Sequence, residues 1–541
     1  MNTSIEHSEH PLRPPNWWKA AVIYQVYPRS YQDSNNDGVG DLCGIRQRLP
    51  YIAQLGADTI WLSPFFRSPM KDFGYDVSDY CDVDPLFGSL ADFDALIEEA
   101  HRLGLRIMID QVLNHTSNEH PWFQESRQSA NNHRADWYVW ADPADDGGPP
   151  NNWLSVFGGS SWQWDTRRRQ YYLHNFLAEQ PDLNFHNTDV QDALLDSMAF
   201  WLERGVDGFR LDTANFYFHD SQLRDNPPNP KTCSLPILER PVNTYEHQRH
   251  VYDKSRPENL AFLKRMRQLC DGYGTALLGE IGCDHQVERM VEYTAPGYLH
   301  TAYSFELLGG SRDAAFMHKA LAPFVEGHQD SWPTWSIGNH DCQRVATRWS
   351  EATQAIASRQ QLECYAVMQM TMPGTPCLYQ GEELGLPEQT LAFEELVDPP
   401  GITFWPEHKG RDGCRTPMPW SDKQLHAGFT EGKPWLPVRA PHISLSAAQQ
   451  EADPDSLLHF YQQLLHWRQQ QPALLGGDAT LAPSDPAILE YTRCAEGQVL
   501  RVRLNMSDSS QSVKPLQGEC MLGENLAELP PYAFCVVQAP A

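Results

Sequence analysis

Short runs of four to seven residues, apolar on both alternating faces, recur along the chain, and each is followed by polar or turn residues and then by a stretch with helical spacing. A strand buried on both faces and returning through a helix has this pattern, that of a parallel sheet built from βα units. Eight such runs are predicted: Ala21 to Tyr27, Thr59 to Ser63, Arg106 to Val112, Gly208 to Asp212, Ala276 to Ile281, Thr301 to Phe305, Thr334 to Gly338 and Thr375 to Tyr379. Between them, Leu90 to Leu103 and Ala193 to Arg204 carry apolar residues at helical intervals. Eight repeats predict an α/β fold closed into a (β/α)8 TIM barrel. An open doubly wound sheet would ordinarily place a glycine-rich phosphate loop after its first strand, and none follows Tyr27.

The rhythm breaks in three places. From His115 to His186 there is no clear helix but many tryptophan, asparagine, glycine and proline residues, which predicts a subdomain inserted after strand three. Asn215 to Pro257 is rich in proline and charge and longer than a connection requires, so it is expected to cover something. Beyond Pro472 the pattern turns to short alternating strands (Ala487 to Arg493, Val499 to Leu504, Ala533 to Val537), expected to form a small antiparallel β domain. The predicted organisation is a barrel over residues 1–114 and 187–472, an insert over 115–186 and a C-terminal β-sandwich over 473–541.

Charge narrows the partners. With 42 basic and 70 acidic side chains the net charge is −28, which opposes binding to nucleic acid or anionic membranes, although it also describes an ordinary solvated surface. No run approaches the roughly 18 apolar residues that cross a bilayer, and Met1 to Pro15 lacks a signal-peptide pattern, so a soluble, cytoplasmic protein is expected. Twelve scattered cysteines without C-x-x-C spacing fit reduced thiols. The 17 tryptophans exceed what packing requires, and some are expected to line a binding surface.

Active sites of such barrels lie at the C-terminal ends of the strands. There the sequence places Asp110, Asn114 and His115 after strand three, Arg210 and Asp212 on strand four, Glu280 on strand five, and Asn339, His340 and Asp341 after strand seven. Each of Asp212, Glu280 and Asp341 ends an otherwise apolar strand, where a charge is costly unless paired or used. One such carboxylate could be a structural ion pair or cap; three on one rim with two histidines point to chemistry. Paired carboxylates suit glycosidic cleavage, which needs one ionised and one protonated group. Arg210, on the strand face of Asp212, is expected to hold Asp212 ionised as the nucleophile. Apolar neighbours are expected to raise Glu280, the proton donor.

The motifs DQVLNH (110–115), GFRLDT (208–213), LLGE (277–280) and GNHD (338–341), with QPDLNF (180–185), occur in an order that resembles the α-amylase family of glycoside hydrolases, glycoside hydrolase family 13, in its branch of bacterial α-glucosidases and oligo-1,6-glucosidases. The resemblance runs from about Trp17 onward and thins over the last 70 residues. It implies Asp212 as nucleophile, Glu280 as acid/base and Asp341 as the carboxylate that grips the sugar hydroxyls, with Arg210, His115 and His340 completing the pocket. Asp72 and Tyr75 in KDFGYD, and Arg411 in GRDGCRTPM, resemble the closed glucose end of exo-acting members, which would disfavour a long-chain amylase. A surface ion pair is the plainer reading of Asp72 and Arg411. Phe157 and Phe176 match aromatic positions of the same pocket, though each could be core. Thr213, after the nucleophile, resembles members acting on α-1,4 bonds, where valine accompanies α-1,6 action. The long loop from Asn215 resembles one that narrows the acceptor side, which implies maltose-like disaccharides, possible action on sucrose, and transglucosylation.

DSNNDGVGD has the spacing of a calcium loop: side-chain oxygens on Asp33, Asn35, Asp37 and Asp41, the carbonyl of Val39 and a glycine at Gly38. Gly44 stands where an EF-hand has its bidentate glutamate. Related glucosidases hold a structural Ca2+ or Mg2+ in such a loop; a hydrated acidic turn is the alternative. The expected partners are small neutral sugars, and the expected assembly a monomer or homodimer. A sucrose- or maltose-isomerising glucosyltransferase of this fold would keep the same three carboxylates, whereas a binding homologue would lack part of the set and carry an anchor.

Overall fold

The computed structural model describes residues 12–235 and 240–540. Its centre is a parallel sheet of eight strands: β1 (Ile23–Val26), β2 (Thr59–Leu62), β3 (Arg106–Gln111), β4 (Gly208–Leu211), β5 (Ala276–Ile281), β6 (Thr301–Ser304), β7 (Thr334–Ser336) and β8 (Thr375–Tyr379). The strands pair in sequence order from β1 to β6, and β8 pairs with both β1 and β7. Closure between β6 and β7 comes from the Ala302–Pro333 bridge and a 2.7 Å contact between the Thr301 and Thr334 hydroxyls. The eight apolar runs are therefore the eight staves of a closed barrel, each one to three residues shorter than its run or equal to it.

Both faces of these strands are buried because one face fills the barrel and the other meets the helices. Ile23, Trp61, Met108, Leu278, Tyr303 and Cys377 pack together as one buried cluster of the filling. A Cβ at Gly208 would stand 2.8 Å from the Ala276 carbonyl and 3.0 Å from the Met108 side chain, so only glycine fits there. Outside, the helix Leu90–Arg102 begins with a capping box between Ser89 and Asp92 and buries Phe93, Leu96, Ile97 and Ala100. Each of the three large side chains contributes about 1.5–3 kcal/mol by leaving water. The helix expected from Ala193 starts earlier, at Thr188, where Asn187 accepts a hydrogen bond from the Asp189 N–H; its polar first turn hid it from the apolar pattern.

The insert after β3 holds a three-stranded antiparallel sheet (Trp140–Ala141, Gln170–Leu173, Trp162–Asp165) and one short helix, Pro121–Ser126, that the sequence pattern did not disclose. The segment after β4 ties itself to this insert: Trp153 Nε1 donates to the Arg224 carbonyl at 2.8 Å and Asn243 Nδ2 to the Val156 carbonyl at 2.7 Å. Residues 236–239 of that segment lie outside the described residues. At the C terminus, a five-stranded antiparallel sheet with a two-stranded ribbon docks on the last barrel helices, where Arg493 Nη1 donates to the Thr371 carbonyl and the Tyr491 and Thr371 hydroxyls meet at 2.6 Å. Among the described residues no cysteine is in a disulfide, and no helix is long and apolar enough to cross a membrane.

One buried carboxylate fastens the chain start to the barrel floor. Asp207 accepts from Arg13 Nε at 2.7 Å, His101 Nε2 at 2.8 Å and the Ile107 N–H at 2.7 Å. Burial pushes its pKa up, but these partners more than offset that and leave it below the ordinary carboxylate value. A depressed folded-state pKa gives stability that is present above the unfolded value and lost as pH falls through the folded one. Asp207→Asn is expected to cost about 3–5 kcal/mol in denaturant unfolding at pH 7, with the gap to wild type narrowing below about pH 4.

Candidate active site

Alternation along β3 to β6 turns Asp110, Arg210, Glu280 and Tyr303 inward at the upper end of the barrel, and sheet register sets Asp110 beside Arg210 and Glu280 beside Tyr303. The Arg210 guanidinium is fully buried among them. Its Nη1 donates to both Asp110 oxygens (2.8 and 3.0 Å) and to Asp212 Oδ1 (2.7 Å), and its Nη2 meets Glu280 Oε1 at 2.5 Å. Tyr303 Oη accepts from Arg210 Nη2 at 2.7 Å and donates to Glu280 Oε1 at 2.8 Å. Arg210 also lies over the Trp61 ring, 4.8 Å from its centroid.

Three carboxylates thus share one cation out of water. Burial pushes Asp212 and Glu280 each up to about 7 and Asp110 up to about 6, while Arg210 pulls all three down. The expectation that Arg210 would single out Asp212 is corrected by this geometry, because the guanidinium reaches Glu280 as closely as Asp212. Nor are the neighbours of Glu280 apolar. Its Oε2 accepts the Thr213 N–H at 3.0 Å, and the left-handed backbone of Thr213 (φ 43°) sets that N–H in place. The Thr213 hydroxyl lies 3.3 Å from Asp212 Oδ2, so one residue touches both carboxylates.

Asp341 has separate support. Arg415 Nη2 lies 2.9 Å, Arg411 Nη1 3.3 Å and His340 Nε2 3.3 Å from its oxygens. Although burial works against ionisation, the charges of Arg411, Arg415 and Arg210 hold Asp341 well below the ordinary carboxylate range. Burial also lowers His340 far below the usual histidine value. Arg411 goes on to Asp72 and Asp398, both at 2.7 Å, and its guanidinium lies over Phe157, 5.1 Å from the ring centroid. Phe157 meets Phe176 edge-on, and Phe176 packs on His115 and Phe216. His115, lowered to about 4 by burial, contacts the Tyr75 carbonyl at 3.0 Å. The turn that presents Asp72 is folded around Asp76, which accepts from Ser68 Oγ and from the N–H groups of Lys71 and Asp72.

These residues enclose a cavity of about 400 Å3. Its wall includes Asp72, Tyr75, His115, Phe157 and Phe176 on one side and Asp212, Thr213, Glu280, Asp341 and Arg411 around the centre. Of the residues singled out in the sequence, Arg210 and His340 stand one layer behind it: both are fully buried, and they touch the carboxylates and Tyr75 rather than the open space. Tyr75 stacks on His340 with ring planes 6° apart and reaches its Nε2 at 2.5 Å, so its ring is fixed from behind. Sequence reasoning left unassigned Asp110, Tyr303, Asp398 and Arg415, which orient the wall, and the far side made by Phe216, Tyr245 and Lys254. Asp110 was visible as a strand-end carboxylate; the others lie on loops or read as core, and no spacing connects them.

The 33–41 loop lies apart from this cavity. Asp33 accepts from the N–H groups of Asn35, Asn36 and Gly38 and from the Thr430 hydroxyl, while Asp41 accepts from Ser34 and caps the following helix through the Gly44 N–H. Its oxygen donors suit a hard divalent ion in chemistry. Among the described residues, however, no group of three or more Asp, Glu, His or Cys side chains is gathered where a metal could be held.

A barrel whose strand ends converge paired carboxylates on a closed sugar-sized pocket is the architecture of a glycosidase. The alpha amylase catalytic domain matches residues 25–477, and the chain belongs to the α-amylase family of glycoside hydrolases. It is 52% identical to a probable alpha-glucosidase of Rhizobium meliloti over 97% of both chains, and 38% identical to an oligo-1,6-glucosidase of Heyndrickxia coagulans over 92% of this chain and 93% of that one. Among solved structures, that of the alpha-glucosyl transfer enzyme XgtA superposes with a TM-score of 0.92 at 51% identity, covering 97% of this chain and 99% of the other.

Proposed function

We propose that the protein is a retaining, exo-acting α-glucosidase that removes one α-glucose at a time from the non-reducing ends of short α-glucosides, with Asp212 as nucleophile and Glu280 as acid/base. The observation that carries this reading is that Asp212 and Glu280 lie 2.7 and 2.5 Å from opposite terminal nitrogens of one guanidinium, with Thr213 touching both. A spacing set by a single guanidinium supports the shorter carboxylate separation, about 5–5.5 Å, that goes with covalent double displacement. Glu280 protonates the leaving oxygen while Asp212 attacks the anomeric carbon, and Glu280 then takes the proton of the incoming water or sugar hydroxyl. Asp341, kept ionised by Arg411 and Arg415 despite its burial, accepts from the sugar hydroxyls and steadies the oxocarbenium charge. The Asp72–Arg411–Asp398 network closes the pocket behind the first glucose, which supports exo action.

Thr213 supports preference for α-1,4 over α-1,6 bonds, and the loop after β4, whose Tyr245 and Lys254 wall the acceptor side, supports disaccharides of the maltose type, with sucrose a further candidate. A second reading, a transferring or isomerising enzyme, is favoured by the likeness to an alpha-glucosyl transfer enzyme. Incubation with maltose, isomaltose and sucrose separates the two. Hydrolysis predicts free glucose, released first as the α anomer and faster from maltose than from isomaltose; isomerisation predicts rearranged disaccharides instead. Asp212→Asn is expected to lower kcat by about 10^4-fold or more.

With Asp212 and Glu280 both pushed up to about 7, acid pH protonates both and removes the nucleophile, while alkaline pH ionises both and removes the acid. The profile of kcat/KM on an aryl α-glucoside is expected to be bell-shaped with its apex near neutrality; a maximum below pH 5 would contradict it. A structural Ca2+ or Mg2+ on Asp33, Asn35, Asp37, Val39 and Asp41 would brace the loop after β1 without entering the reaction. Chelation is then expected to lower the melting temperature and leave KM unchanged.

A further inference from the structure

Beside Phe216 and Tyr245, the cavity wall carries a buried cation. Lys254 is 7% exposed and lines the cavity, yet it makes no ion pair within 4.0 Å among the described residues. Its Nζ donates to Tyr245 Oη at 2.7 Å and stands over two rings, 4.7 Å from the centre of Phe216 and 5.1 Å from that of Tyr245. An ammonium has three donors, and only one is used here. Three carboxylates act on it from beyond ion-pair distance: Asp253, whose Oδ2 meets His250 at 2.5 Å, and the exposed Asp284 and Glu246.

The position is held by its surroundings. Ser255 adopts a left-handed backbone (φ 56°), and its hydroxyl accepts from Asn215, which also binds the Gly282 backbone through both its amide atoms. Lys254 is therefore anchored to the end of β5, two residues past Glu280. The helix Gln286–Tyr293 starts on the same wall without a side-chain cap on its first N–H groups, and Gln286 lines the cavity. A desolvated ammonium that lines the cavity and has no carboxylate within ion-pair distance is matched to an anion on the ligand.

The geometry points to Lys254 as a specificity-determining residue that favours α-glucosides, or glucosyl acceptors, whose aglycone carries an anionic group such as a carboxylate. This rests on the α-glucosidase reading and adds the aglycone class. The aglycone lies along the wall that Phe216 and Tyr245 form, and its anion pairs with the cavity-facing side of the Lys254 ammonium.

The test compares kcat/KM for 4-carboxyphenyl and 4-carbamoylphenyl α-glucosides, which differ mainly in charge. Taking the ratio between enzyme variants cancels the difference in leaving group. Wild type is expected to favour the carboxylate; Lys254→Met lowers the ratio at least tenfold, and Lys254→Arg keeps it within about threefold of wild type. In wild type alone the ratio also falls as sodium chloride is raised, so the proposal stays testable if a variant fails to fold. A ratio unchanged in Lys254→Met, or indifferent to salt in wild type, overturns the role of Lys254. Failure of wild type to cleave either glucoside sinks the α-glucosidase reading instead.

Discussion

The upper barrel depends on one fully buried guanidinium. Arg210 sits where Asp110, Asp212 and Glu280 converge, and without it three carboxylates would face one another with almost no solvent exposure. Removing one partner of a buried ion cluster costs about 3–5 kcal/mol. The arrangement nevertheless leaves more negative than positive charge at the centre, and that imbalance has chemical use. Burial raises both candidate catalytic carboxylates, so a single proton shared between them matches the state in which one attacks and the other donates. Fold and reaction meet in the same residue, since the strand alternation that turns Arg210 inward also turns Asp212 and Glu280 toward it.

A second ionic network, with two cations to three carboxylates, lines the same cavity. Two arginines, Arg411 and Arg415, serve Asp341, Asp398 and Asp72, and Asp341 is held ionised as a result. One site therefore contains carboxylates poised near neutrality beside one that stays charged, with environment alone making the difference. The segment after β4 adds aromatic rings and the Lys254 ammonium to the cavity wall. Part of that wall thus rests on loops braced by ion pairs, and part on a long segment tied to the insert by side-chain to backbone hydrogen bonds.

The barrel could be read from the chain because all eight strands are buried on both faces, which leaves uninterrupted apolar runs that periodicity detects directly. Strand-end carboxylates stood out for the same reason: Asp212 and Glu280 end runs in which nothing else is charged except Arg210. Helix starts were less legible, as at Thr188, where a polar first turn carries no apolar period. Asp398 and Tyr303 could not be found by pattern. Asp398 acts through Arg411, thirteen residues away along an irregular loop, and Tyr303 has the sequence setting of a core tyrosine, its role defined only by the placement of its hydroxyl between Arg210 and Glu280. Contact with Arg210 does not by itself divide the roles, because two residues of strand spacing establish one contact of a guanidinium but not that its other nitrogen reaches across to β5.

The central claim is that Asp212 carries the sugar covalently. A 5-fluoro-α-glucosyl fluoride slows release of the glycosyl-enzyme, and mass spectrometry of the inactivated protein followed by peptide mapping locates the ester. The account predicts one fluoroglucosyl unit per chain, on Asp212. A label on Glu280, or turnover of the reagent with no adduct and release of the β anomer, would contradict it.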